Sequence, residues 1–177
     1  MFLDSKRPFY QSATNLSMDP IDRSVYAQFA QGLFTRYGKT VTEEGIHKAY
    51  DMFEGITAYV QRIMHDVFTE TATGGTADVN LVDNMIDRFI EESSRRIREQ
   101  LSVITEQQKE LLYAIHSEGI AKGLTASAFV KRHRLKSASS VQSATKQLLE
   151  MDLITKEGNE YTLSDPLLKL WLTREIQ

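Results

Sequence analysis

Thr105-Glu106-Gln107-Gln108 opens the stretch that decides the fold, which runs from Thr105 to Trp171. A threonine with a glutamine three residues on is a capping box, in which each side chain satisfies an orphan amide at a helix start. Leu111, Leu112 and Ile115 continue as the apolar face of that helix, and Gly119 closes it. A second short helix is expected over Ala126 to Arg132, ending at the turn His133-Arg134-Leu135-Lys136. A third opens at Ser137-Ala138-Ser139-Ser140 and runs to about Met151. Two β-like runs come next, Leu153-Ile154-Thr155 and Glu160-Tyr161-Thr162-Leu163, and Gly158-Asn159 between them is a hairpin signal. Asp165-Pro166-Leu167 then starts a short helix whose Trp171 is expected to pack on the core rather than stack on a base. Helix, helix, helix, hairpin is the order of a winged helix-turn-helix, a fold that enters a DNA groove or grips a protein.

Working outward, the chain upstream reads as helical throughout. Residues from Met1 to about Ser17 look extended or irregular. Asp19-Pro20 is expected to start a helix carrying Ile21, Val25, Phe29, Leu33 and Phe34 at helical spacing and ending near Gly38. Thr42 opens a second helix bearing Ile46, Ala49, Tyr50 and Phe53, closed by Gly55. A third runs from Ile56 to about Thr69. Thr71-Ala72-Thr73-Gly74-Gly75-Thr76 reads as a flexible surface loop. A long helix from Asn80 to about Leu101 turns Leu81, Val82, Met85, Ile86, Phe89, Ile90 and Ile97 inward, and its charged second half bridges the two halves of the chain. The fold class is mainly α: a helical domain over 1–100, then a winged-helix domain with a small β-hairpin over 101–177.

With 177 residues, 41% of them hydrophobic and 25% charged, the composition is that of a soluble globular protein. The absence of cysteine removes disulfides and thiol chemistry and fits a reducing, cytoplasmic setting. No apolar run approaches the roughly 18 residues of a membrane helix, so no membrane partner is expected. A net charge of −3 argues against indiscriminate polyanion binding but leaves room for a local basic patch.

Nothing in the sequence assembles a catalytic constellation. Gly32 to Thr40 nearly spells a phosphate-binding loop, but five residues separate its glycines where four are needed, and it leaves a helix rather than a strand. Gly38 therefore reads as a helix C-cap. The histidines, His47, His65, His116 and His133, form no His-x-x-x-His or Glu-x-x-His pair, and adjacent His65 and Asp66 are expected to point to different sides. No metal ligands and no catalytic residues are assigned.

The binding candidates cluster around the third helix of the winged unit. Val141, Ala144, Leu148 and Met151 share a face that packs inward, which leaves Ser139, Ser140, Gln142, Ser143, Lys146 and Gln147 outward. Small hydroxyls with glutamine and lysine suit close approach to base edges and phosphates. Lys131, Arg132, Arg134 and Lys136 concentrate positive charge at the preceding turn, and Lys156 lies on the wing. An ordinary solvated helix with a basic turn would look the same, because the domain carries little excess positive charge.

Several segments in order resemble the C-terminal part of prokaryotic, archaeal-type AAA ATPases. They are Ser5-Lys6-Arg7-Pro8-Phe9-Tyr10, Tyr26 with Phe29 and Phe34, Gly38-Lys39, Tyr50-Phe53-Gly55, Tyr59-Val60-Gln61, Ser137 to Ala144, and Asp165-Pro166-Leu167 with Trp171. The resemblance covers nearly the whole chain. It implies a P-loop core, absent here, followed by a helical lid and a winged helix; the chain then looks like a fragment that does not hydrolyse ATP by itself. It further implies ATP and Mg in the parent protein and none held by this chain. Arg7, at the implied core–lid junction, would sense nucleotide or else form an interdomain ion pair. The expected function is to couple nucleotide state in the missing core to DNA or a protein held by the winged helix, with a hinge near Gln100. The rivals are a free-standing, normally dimeric transcription regulator with residues 1–100 as dimerisation or effector domain, and a pure protein-interaction module.

Overall fold

The computed structural model describes residues 19–176, so Arg7 and the Arg-Pro-Phe-Tyr segment lie outside the described residues. The chain is mainly helical. Its elements run α1 (Arg23–Arg36), β1 (Thr40–Val41), α2 (Glu43–Met52), α3 (Thr57–Glu70), β2 (Thr76–Ala77) and α4 (Val79–Ser102). They continue as α5 (Glu106–Glu118), β3 (Ala121–Lys122), α6 (Ser127–Arg132), α7 (Ala138–Glu150), β4 (Ile154–Glu157), β5 (Glu160–Leu163) and α8 (Pro166–Glu175).

The helix expected to start at Asp19-Pro20 starts three residues later. Asp22 is the N-cap, accepting from the amides of Ser24 and Val25. The preceding residues are held elsewhere, because Tyr50 Oη donates to the Ile21 carbonyl. The inward face of α1 also differs from the expectation. Tyr26, Ala27, Ala30 and Phe34 are buried, whereas Val25 and Phe29 are 57% and 56% exposed. Apolar residues lie on two sides of this helix, and spacing alone does not say which side meets α2 and α3.

The stretch Thr71–Thr76, expected to be a flexible loop, is pinned. Thr71 is buried with its hydroxyl donating to the Val67 carbonyl, and Gly74 N donates to the Gly38 carbonyl. Beyond it β2 pairs in parallel with β1, Thr40 beside Thr76 and Val41 beside Ala77. The C-cap of α1 is Tyr37, not Gly38 as expected; Gly38 follows it at φ 69° and leads into β1. Gly32 lies within α1, so the near-match to a phosphate loop presents no row of free amides and does not fit a nucleotide.

The capping box at Thr105 forms as read: Thr105 Oγ1 accepts from Gln108 N, and Gln108 Oε1 accepts from Thr105 N. The wing is a hairpin with Glu157 opposite Glu160 and left-handed Gly158 first in the two-residue turn. A third short strand, β3, pairs antiparallel with β5, giving the sheet order β3-β5-β4.

A single core cluster runs the length of the molecule. It passes from Ile46, Phe53, Ile63 and Ile86 to Leu111, Ile115, Leu148 and Leu167, all at most 1% exposed. Helix α8 lies on α4 and joins the two ends of this core. Trp171 is 6% exposed as expected, and its indole Nε1 donates to Ser94 Oγ at 2.9 Å. Around that bond, Arg98 pairs with Glu175 at 3.1 Å, Lys169 with Glu54 at 2.6 Å, and Arg174 with Asp87. Tyr59 Oη donates to Asp165 Oδ2 at 3.0 Å. Gln100, the expected hinge, is in the last turn of the continuous helix α4.

Candidate nucleic-acid interface

Helix α7 is the element from which the site is built. Ser137 caps it by accepting from Ser140 N, and Val141, Ala144, Thr145 and Leu148 are buried against the rest of the domain. Met151, expected inward, is instead the C-cap residue and 39% exposed; buried Thr145 packs inward with its hydroxyl donating to the Val141 carbonyl. Two glutamines at the start of α5 hold the near side of α7. Gln108 Nε2 donates to Gln147 Oε1 at 2.8 Å, and Ser140 Oγ donates to Gln107 Oε1 at 2.9 Å. Ser140 and Gln147, both expected to face outward for a ligand, are thus engaged with α5.

The remaining outward side of α7 forms one wall of an open groove. Ser139, Gln142 and Lys146 line it from α7; Lys122, Thr125, Asn159 and Tyr161 line it from the β3 side and the wing. The sequence reading missed Lys122, Thr125 and Asn159. Lys122 carries no local signal, because a two-residue strand has no period and only the β3–β5 pairing brings it across from α7. Ser143 is exposed beside the groove.

The charges are less free than the sequence suggests. Arg132 Nη1 sits 2.7 Å from Glu118, and His133 Nε2 sits 2.8 Å from the same oxygen. The hydrogen bond from Arg132, and then that from His133, hold the Glu118 carboxyl below the usual carboxylate range. Lys122 pairs with Glu160 at 2.6 Å, directly opposite it in the sheet. Lys146 is 3.9 Å from Glu150, and Lys156 lies 5.5 Å from the centre of the Tyr161 ring. Lys131, Arg134 and Lys136 are exposed and make no ion pair among the described residues. Arg134 takes a left-handed φ of 53° in the turn between α6 and α7, with the Leu135 amide tied back to Val130.

Among the described residues no group of three or more His, Asp or Glu side chains is placed to hold a metal ion, and no helix is long and apolar enough to cross a membrane. His65 and Asp66, expected to diverge on their helix, are in contact at 3.3 Å, because both side chains turn toward each other at the solvent edge of α3.

Three helices followed by a paired-strand wing, with α7 displayed beside that wing, form a winged-helix fold. Residues 96–174 match the family model of a probable winged helix domain. Nearly the whole chain also shares the fold of part of a solved Walker-type ATPase of Pyrococcus abyssi, with a TM-score of 0.66 and 16% sequence identity. That match covers 97% of this chain and 48% of the ATPase, so this chain spans about half the length of that structure. No curated protein matches the chain.

Proposed function

We propose that this chain is the lid and winged-helix part of a Walker-type ATPase, divided near residue 100, and that the winged helix grips duplex DNA. The observation that carries the reading is the open groove between α7 and the wing, with Ser139, Gln142 and Lys146 on its wall. Lys131, Arg134 and Lys136 stand at the adjoining turn, unpaired among the described residues. In this arrangement the turn and Lys146 contact phosphates while Gln142 and Ser139 approach base edges. Arg132, neutralised by Glu118, and Ser140, used by Gln107, contribute little; Ser143 and Lys156 flank the contact. ATP and Mg would be held by an ATPase core outside this chain. The α8–α4 clasp supports the coupling, because movement of the helical part would carry the winged helix with it.

The test is fluorescence anisotropy of the protein with a labelled mixed-sequence duplex between roughly 50 and 200 mM salt. Lys136→Ala and Lys146→Ala should each weaken binding and lower the salt slope by about one. Unchanged affinity in both variants overturns groove docking. A second reading, a winged helix that grips a protein, is favoured by the charge balance: residues 101–177 carry ten Lys and Arg against nine Asp and Glu. A flat titration at low salt supports that reading instead.

A further inference from the structure

The outer face of α1 and its two ends gather four exposed large apolar side chains, away from the winged helix. Ile21, Val25, Phe29 and Tyr37 are 42%, 57%, 56% and 60% exposed. Val25, Phe29 and half-buried Leu33 recur every four residues and make a ridge along α1, with Ile21 just before the helix and Tyr37 at its C-cap. The ridge borders a cavity of about 310 Å³ between α1 and α3, floored by Phe34, Met64 and Phe68. No charged residue occurs between Arg23 and Arg36. Arg36 at one end of the helix makes no ion pair among the described residues, and Asp22 at the other spends its carboxylate only on backbone amides.

We infer that this ridge is a homodimer interface, in which α1 packs antiparallel against α1 of a second copy about a two-fold axis at Phe29. The spacing is self-complementary about that residue. Antiparallel pairing centred on Phe29 sets Val25 opposite Leu33 and Phe29 opposite itself, with Ile21 and Tyr37 flanking the two ends of the contact. The same operation brings Asp22 of each copy toward Arg36 of the other, and it opposes the two helix dipoles. A partner of a different chemistry would not require acid and base to fall at equal distances from the centre of the apolar ridge. The symmetric placement therefore favours a second copy.

Sedimentation velocity across a dilution series of the whole chain tests this. The wild type should shift from monomer to dimer with concentration. The double variant Val25→Asp with Phe29→Asp should raise the dimer dissociation constant about 30-fold or more, because both positions lie at the centre of the contact. Arg36→Glu, which sets a carboxylate against Asp22 twice per dimer, should raise it about fivefold. The chain has no cysteine, so Phe29→Cys should give a disulfide-linked dimer on oxidation, whereas Tyr113→Cys, exposed on α5, should not. A wild type that is monomeric at every concentration overturns the interface, whatever else covers the ridge. So does a dimer whose dissociation constant is unmoved by the double variant, or equal cross-linking at position 113.

Discussion

Ser94→Ala should destabilise the protein by about 1–3 kcal/mol, more than the loss of one hydroxyl suggests. Both Ser94 and Trp171 are buried, at 5% and 6% exposure, and the indole N–H can only donate. Removing Ser94 Oγ strands that donor where α8 meets α4, and the cost is that of an unsatisfied buried group rather than of an average hydrogen bond. Trp171→Phe behaves differently. It removes the donor itself, and Ser94 Oγ keeps the Ile90 carbonyl at 3.4 Å, so the cost is chiefly the space left by the smaller ring, roughly 1–2 kcal/mol. The double variant should then be no less stable than Trp171→Phe alone, and a few tenths of a kcal/mol better because alanine favours the helix. The two changes should therefore couple by about the whole cost of Ser94→Ala, roughly 1–3 kcal/mol. Urea unfolding followed by far-UV circular dichroism measures this, since Trp171 is the only tryptophan and its fluorescence is lost with it. Single effects that add to within about 0.5 kcal/mol would refute the reasoning, and with it the seating of α8 on α4.

Gly55→Ala should cost about 2–3 kcal/mol in the same assay. The residue sits at φ 70°, and a Cβ there would lie 2.6 Å from the Tyr50 hydroxyl, displacing it from Ile21; a loss under about 0.5 kcal/mol would contradict the packing of that corner. Alkaline pH should weaken the fold through Tyr26. Burial pushes the Tyr26 hydroxyl up to about 12, so the folded chain holds this proton where the unfolded chain, titrating near the ordinary value of about 10, has lost it. Stability from this group is complete below the unfolded value and falls as pH rises from there through the folded one. Tyr26→Phe should flatten that decline in thermal melts, and a wild-type curve identical to that of the variant would contradict the burial.

Helix ends were legible wherever the signal is local. The Thr105–Gln108 box, the Ser137 cap, the Asp165-Pro166 start and the Gly158-Asn159 turn each act over two to four residues, and each forms as read. At α1, two aspartates competed for one cap, and Asp22 won because the segment before it is drawn onto Tyr50. The candidate site was half legible. Ser139, Gln142 and Lys146 follow from helical spacing, but Ser140 was claimed by Gln107, Arg132 by Glu118, and Met151 faced away from the core. Each of those outcomes depends on a residue from another element, which no period along α7 reports.

By itself the sequence determined the order of the helices and the hairpin, the winged-helix class and the positions of most helix boundaries, because these depend on backbone capping and on apolar spacing within one segment. Only the tertiary structure decided which side of α1 is covered, that two-residue strands pair as β1 with β2 and β3 with β5, and that Lys122 and Asn159 face α7 across a groove. It alone also decided that α8 is fastened to α4 through Trp171 and Ser94. These are contacts between residues as many as 77 positions apart, and their free energy arises only when distant segments exclude water together.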